Sequence, residues 1–136
     1  MPESPLLRLA PWRWPQLLRF LAYGVAVAIL LFLCLAPEHD LPKVKLWDKA
    51  EHATAWCVLA GVGLLLWPAR PGRVAGFAVF LGALVEVLQG TMGLGRDMDW
   101  RDWVADTVGV AVALVAWAAA RRALPSGGRA YALRRP

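Results

Sequence analysis

Hydrophobic residues along this chain fall into four long runs that short polar segments separate. The runs occupy residues 17–36, 50–67, 74–94 and 103–120. A helix that crosses the hydrocarbon core of a bilayer needs about 20 largely apolar residues, and each run has or approaches that length. Proline and glycine lie between the runs, where helices are expected to break. The pattern predicts an all-α membrane protein with four transmembrane helices in one compact bundle.

Composition agrees with this interpretation. Hydrophobic residues make up 59% of the 136 residues, whereas soluble domains are about half apolar. We expect one four-helix membrane domain over residues 1–121, followed by a basic, flexible cytoplasmic tail over residues 122–136. The first run is longer than the apolar core of a typical signal peptide, so we interpret it as a transmembrane helix.

The basic residues are distributed unequally between the two predicted sides of the membrane. Ten of the 15 lysines and arginines lie on the side that also holds both termini. The positive-inside rule therefore predicts that both termini are cytoplasmic. Because the net charge of +5 follows the membrane topology, no nucleic-acid partner is expected.

Ionisable residues interrupt three of the apolar runs at a similar depth. A rise of about 1.5 Å per residue places His52, Glu86 and Asp106 roughly 20–22 Å above the inner boundary of a core about 30 Å thick. Their polar neighbours recur at helical spacing, so each group lies along one helix face. These groups are Asp48 with His52, Glu86 with Gln89, and Asp99 with Asp102, Asp106 and Gly109. The sequence predicts a shared polar pocket in the outer half of the bundle, and Gly82 and Gly109 on the same faces allow close helix packing.

These polar residues, and the basic residues near them, can also be explained by a role in stabilising the structure. Asp48 and Asp102 are suitable as helix N-caps or first-turn acids, and Lys49, Arg96 and Arg101 can pair with nearby acids or extend to headgroups. An intramembrane carboxylate costs at least about 2.5 kcal/mol on insertion scales, which favours a functional site over a purely structural one for Glu86 and Asp106. A salt bridge or hydrogen bond between helices is the alternative that offsets this cost.

Three segments together resemble the signature of the VanZ-like family of small membrane proteins. They are "DKAEH" at 48–52, "EVLQ" at 86–89 and "RDMDWRDWVADTVG" at 96–109. The family pattern reads D-K-x-x-H, E-x-x-Q and R-x-x-D-x-x-D-x-x-x-N-x-x-G. The matching residues are Asp48, Lys49, His52, Glu86, Gln89, Arg96, Asp99, Asp102 and Gly109. The one departure is Asp106, where the family usually has asparagine.

The resemblance covers about residues 48–110 and implies a multi-pass protein of the bacterial inner (cytoplasmic) membrane. It also implies a role in the cell envelope, because the founding member is linked to resistance to the glycopeptide teicoplanin. The resemblance does not supply a reaction.

The function that we favour from the sequence is binding or modulating an anionic envelope lipid or a lipid-linked cell-wall precursor. Arginine suits bidentate contacts with oxyanions, and the acids would hold the basic side chains in place. The predicted ligand-binding residues are Asp48, Lys49, His52, Glu86, Gln89, Arg96, Asp99, Asp102 and Asp106.

Three other functions stay open. The first is a membrane-embedded hydrolase or transferase acting on an envelope lipid, with His52, Glu86, Asp102 and Asp106 as catalytic candidates. The others are an accessory subunit of a larger membrane protein complex and a proton-coupled carrier. We expect no cofactor and no dedicated metal site, with a divalent cation on the same histidine and carboxylates as the alternative.

Overall fold

The computed structural model describes residues 10–36, 48–92 and 98–123. Within these ranges a 3₁₀ turn at Pro11–Arg13 precedes four α-helices, which are α1 (Gln16–Leu35), α2 (Asp48–Leu66), α3 (Pro71–Met92) and α4 (Trp100–Ala123). The described ranges contain no strand, so the all-α prediction is confirmed for them.

The last three helices begin two or three residues earlier than the apolar runs predict. They start at Asp48, Pro71 and Trp100, whereas the runs start at 50, 74 and 103. The difference arises because a first helical turn has polar and capping residues that a hydrophobic run does not include.

Helices α1, α3 and α4 are long and apolar enough to cross a membrane. Helix α2 has 19 residues, but Asp48, Lys49 and Glu51 make its first turn less apolar than the rest of the helix. The fourth predicted transmembrane span therefore stays a prediction. Three such helices indicate an integral membrane protein.

Contacts between the helices define their directions. Helices α2 and α4 run parallel, because Lys49 near the start of α2 pairs with Asp102 near the start of α4, and Gly109 further along α4 lies against Ala53 further along α2. Helix α3 runs antiparallel to both, because its later residue Glu86 lies near His52 and Asp99, whereas its earlier residues contact Trp56 and Trp103. The indole nitrogens of Trp56 in α2 and Trp103 in α4 donate to the carbonyls of Ala78 (2.9 Å) and Val79 (3.1 Å) in α3.

Helix α1 lies antiparallel to α2 and parallel to α3. At its start, Arg19 Nη1 donates to the carbonyl of Leu66 at the end of α2 (3.1 Å). At its end, the carbonyl of Cys34 accepts from Gln89 Nε2 near the end of α3 (2.9 Å). The four helices thus form one antiparallel bundle with two helices in each direction.

Helix α4 shows how the bundle separates polar from apolar side chains. Its exposed face carries four valines at helical spacing, at positions 104, 108, 112 and 115. Its buried face carries Asp102, Asp106, Gly109, Val110 and Ala113. Apolar residues therefore face outward and carboxylates face inward, as expected of a helix in lipid whose polar groups must find partners inside the protein.

Candidate functional site

Six polar side chains from three segments meet at one end of the bundle, and we call them the polar cluster. They are Lys49 and His52 of α2, Glu86 of α3, Asp99 just before α4, and Asp102 and Asp106 of α4. Four of them are almost completely buried: the exposed fraction is 8% for His52, 3% for Glu86, 8% for Asp102 and 0% for Asp106.

His52, Glu86 and Asp106 form the innermost part of the cluster. One nitrogen or oxygen atom from each lies within 4.8 Å of the others. His52 Nδ1 and Asp106 Oδ1 are 2.9 Å apart and share a hydrogen bond. The predicted convergence of these three residues from three helices is therefore confirmed, whereas their roles in binding or catalysis stay predictions.

Lys49 lies between two aspartates on the more exposed side of the cluster. Its Nζ atom is 2.9 Å from Asp99 Oδ2 and also forms an ion pair with Asp102. The other oxygen of Asp99 accepts the backbone N–H of Arg101 at 2.9 Å, which is the contact that an N-cap residue makes. Asp99 therefore caps α4, while Asp102 lies in the first turn. The pKa of Asp99 is held below its ordinary value, first by the hydrogen bond from Lys49 and then by the Arg101 backbone N–H.

Glu86 joins α3 to the start of α4. Its Oε2 atom accepts the backbone N–H of Asp99 at 2.9 Å. Two carboxylate oxygens in the cluster, Glu86 Oε1 and Asp106 Oδ2, are buried and have no hydrogen-bond partner among the described residues. Unpaired buried oxygens of this kind are costly and call for an explanation.

Gly82 on α3 supplies the space for the Asp106 carboxylate. A Cβ atom at this position would lie 2.9 Å from Asp106 Oδ2 and 3.2 Å from Trp56 Nε1. Gly82 thus makes room for side chains of the cluster, whereas the predicted close approach of helix backbones is found at Gly109, next to Ala53 and Cys57.

Trp56 also borders the polar cluster, and no role in the site is predicted for it from the sequence. It is fully buried, and its ring stacks on that of His52 with centroids 5.9 Å apart and planes 12° apart. A signal was present in the sequence, since Trp56 follows His52 by four residues and therefore lies on the same helix face.

The remaining predicted site residues are placed as follows. Gln89 is buried (4% exposed), and its side-chain amide donates to the Cys34 carbonyl of α1. Its observed contact therefore connects α3 to α1. The side chain of Asp48 and the whole of Arg96 lie outside the described residues. Arg101 is exposed, and its guanidinium carbon lies 5.9 Å from the centre of the Trp100 ring.

The cluster carries an excess of acid. Among the described residues, its members include one lysine, which pairs with Asp99 and Asp102, and two further carboxylates, those of Glu86 and Asp106. Buried carboxylates without sufficient positive charge are electrostatically costly. The described cluster is therefore better suited to hold a cation, or a ligand that brings one, than to attract an anion unaided.

No protein-family model, no curated protein and no solved structure matches this chain.

Proposed function

We propose that this is a VanZ-like protein of the bacterial cytoplasmic membrane whose polar cluster binds the headgroup of an anionic envelope lipid or lipid-linked wall precursor. The observation that carries the proposal is the burial of His52, Glu86 and Asp106 at one end of a bundle with an apolar outer surface. Ionisable groups at membrane depth are expensive and usually functional.

The proposal includes a fourth transmembrane span. Helix α2 contacts the membrane-crossing helices at both of its ends, through Lys49 with Asp102 and through Leu66 with Arg19. A helix of 19 residues is roughly 28 Å long, which is close to the thickness of the hydrocarbon core. With both termini cytoplasmic, the polar cluster would open toward the outer leaflet.

A phosphate or pyrophosphate headgroup needs more positive charge than the described residues of the cluster supply. Lys49 is already paired with two aspartates, so further positive charge must contact the ligand. We assign that contact to Arg96, which precedes Asp99 by three residues in the chain, because a guanidinium binds oxyanions in bidentate fashion.

Lipid retained by the purified protein tests this assignment. We expect mass spectrometry after mild detergent extraction to find a phosphate-bearing envelope lipid at a fixed ratio to the wild-type chain. Arg96→Lys should retain at least about tenfold less, because an ammonium cannot reproduce the guanidinium fork. The matched control is Arg101→Lys, at the exposed arginine over Trp100, which should retain the wild-type amount. Retention that is equal in all three proteins would rule out Arg96 as the anchor, and no enriched anionic lipid on the wild type would rule out the function.

The hydrogen bond between His52 and Asp106 supports an enzyme as the second candidate. Asp106 orients the ring through Nδ1 at 2.9 Å, while His52 Nε2 lies 4.0 Å from Asp102 Oδ2. A histidine held in this way can act as general base toward water or a hydroxyl group, and the carboxylate stabilises the imidazolium that results. Release of phosphate from a lipid-linked pyrophosphate by the purified protein, abolished in His52→Gln, would favour the hydrolase over the binding protein.

A further inference from the structure

We propose that His52, Glu86 and Asp106 bind one divalent transition-metal ion, with Zn²⁺ as the best match. The inference goes beyond the proposed function, because metal binding by these three residues requires no lipid ligand.

The three donor groups are already close together. One potential ligand atom from each residue lies within 4.8 Å of the other two. Around a zinc ion with bonds of about 2.0–2.2 Å, tetrahedral donors lie roughly 3.4 Å apart. Metal binding would draw the two carboxylates closer to His52, and the metal would replace the hydrogen bond between His52 Nδ1 and Asp106 Oδ1.

Two unpaired oxygens provide the second, independent observation. Glu86 is 3% exposed and Asp106 is fully buried. Each keeps one buried oxygen for which the described residues offer no hydrogen-bond donor, namely Glu86 Oε1 and Asp106 Oδ2. A cation bound by both carboxylates would give each of these oxygens the partner that it lacks.

The donor set indicates which metal to expect. One imidazole nitrogen with two carboxylate oxygens suits Zn²⁺ or a neighbouring transition metal, whereas Ca²⁺ and Mg²⁺ prefer oxygen ligands alone. Three protein ligands leave a fourth position for water or a ligand oxygen, as in catalytic zinc sites. The fully buried Trp56, stacked on His52, would limit the movement of the imidazole.

Asp106 supplies one of the two carboxylates of the proposed site, and asparagine has nearly the same shape without the charge. Asp106→Asn therefore removes the charged ligand with little change in shape.

The test is metal binding by the purified full-length chain in detergent, after treatment with a chelator and removal of lipid. We expect Zn²⁺ titration calorimetry to give one site per chain, and Co²⁺ to give the visible absorption of a site with nitrogen and oxygen ligands. Asp106→Asn and Glu86→Gln should each weaken Zn²⁺ binding by at least about tenfold, since even the loss of an outer-shell partner costs 10–100-fold.

The matched control is Glu51→Gln, a carboxylate on the same helix as His52 that lies outside the polar cluster. It should bind Zn²⁺ as the wild type does, and circular dichroism should show equal helix content in all four proteins. Three results would overturn the proposal: no saturable binding by the wild type, wild-type affinity in both cluster variants, or equal weakening in Glu51→Gln. Because lipid is absent, a failure here leaves the lipid-retention result unaffected, and the reverse also holds.

Discussion

Asp106 shows at the scale of single residues how the protein accommodates a carboxylate in the interior of the helix bundle. The residue is fully buried, and an unpaired charge there would be very costly. A hydrogen bond with His52 compensates one oxygen, and the missing side chain of Gly82 gives the other oxygen room. Asp106 thus needs both a hydrogen-bond partner and a neighbouring residue without a side chain.

Gly82→Ala should disturb the cluster without touching a charged residue. The new Cβ atom would lie 2.9 Å from Asp106 Oδ2, so the short Asp106 side chain must shift, which disturbs the hydrogen bond between its other oxygen and His52. We expect a loss of about 1–3 kcal/mol in the free energy of unfolding, as is usual for overpacking. Unfolding in detergent micelles measures this effect.

Gly76→Ala is the control for this prediction, because it lies on the same helix and a Cβ atom there would meet nothing within 4 Å. It should be neutral or slightly stabilising, since alanine favours the helix by up to about 1 kcal/mol relative to glycine. Equal stability of the two variants would show that Asp106 is not confined by Gly82.

At the scale of helices, the parallel pair α2 and α4 brings His52 to Asp106. Gly109 of α4 lies directly against the backbone of α2. A Cβ atom there would overlap the Ala53 carbonyl, with the carbonyl carbon at 2.9 Å and Cys57 N at 3.0 Å. Small residues permit this approach in membrane helices, and the hydrogen bond one turn away depends on it.

Gly109→Ala should separate the two helices. Backbone atoms cannot rotate out of the way as a side chain can, so we expect a cost at or above about 3 kcal/mol, the upper end of overpacking effects. Thermal unfolding in detergent would measure it, with Gly61→Ala on α2 as the control, since nothing lies within 4 Å of a Cβ there. A Gly109→Ala protein that melts with the wild type would mean that the helices are not in backbone contact.

At the scale of the whole molecule, the two ends of the bundle differ in chemistry. The end opposite the polar cluster carries arginines over tryptophan rings, with Arg19 above Trp67 and Arg121 above Trp117, each at 5.8 Å. Basic and aromatic residues of this kind are typical of a cytoplasmic membrane boundary. The acidic cluster occupies the other end, where we propose that the outer leaflet lies.

Fusion reporters test this topology directly. A phosphatase that is active only outside the cytoplasm should be inactive when fused after Pro136 and active when fused after Gly95, between α3 and α4. Both expectations follow from the positive-inside rule. Activity at Pro136 together with inactivity at Gly95 would invert the molecule and place the polar cluster on the cytoplasmic side.

The sequence by itself determined the helices and the common level of His52, Glu86 and Asp106 along the bundle. Both properties are local: hydrophobic runs of membrane length predict helices, and a constant rise per residue converts chain position into depth. For that reason His52, Glu86 and Asp106 were expected at one level before any packing was known. The early starts of α2, α3 and α4 were missed, because capping turns are short and partly polar.

Tertiary structure alone decided which partner each polar group contacts. Lys49 pairs with Asp99 and Asp102, Gln89 Nε2 donates to the Cys34 carbonyl at the end of α1, and Trp56 donates to the Ala78 carbonyl of α3. The sequence allowed several such pairings, because partners more than 20 residues apart depend on how the helices rotate and approach. That packing is governed by backbone contacts at glycines such as Gly109, which a hydrophobic pattern does not encode.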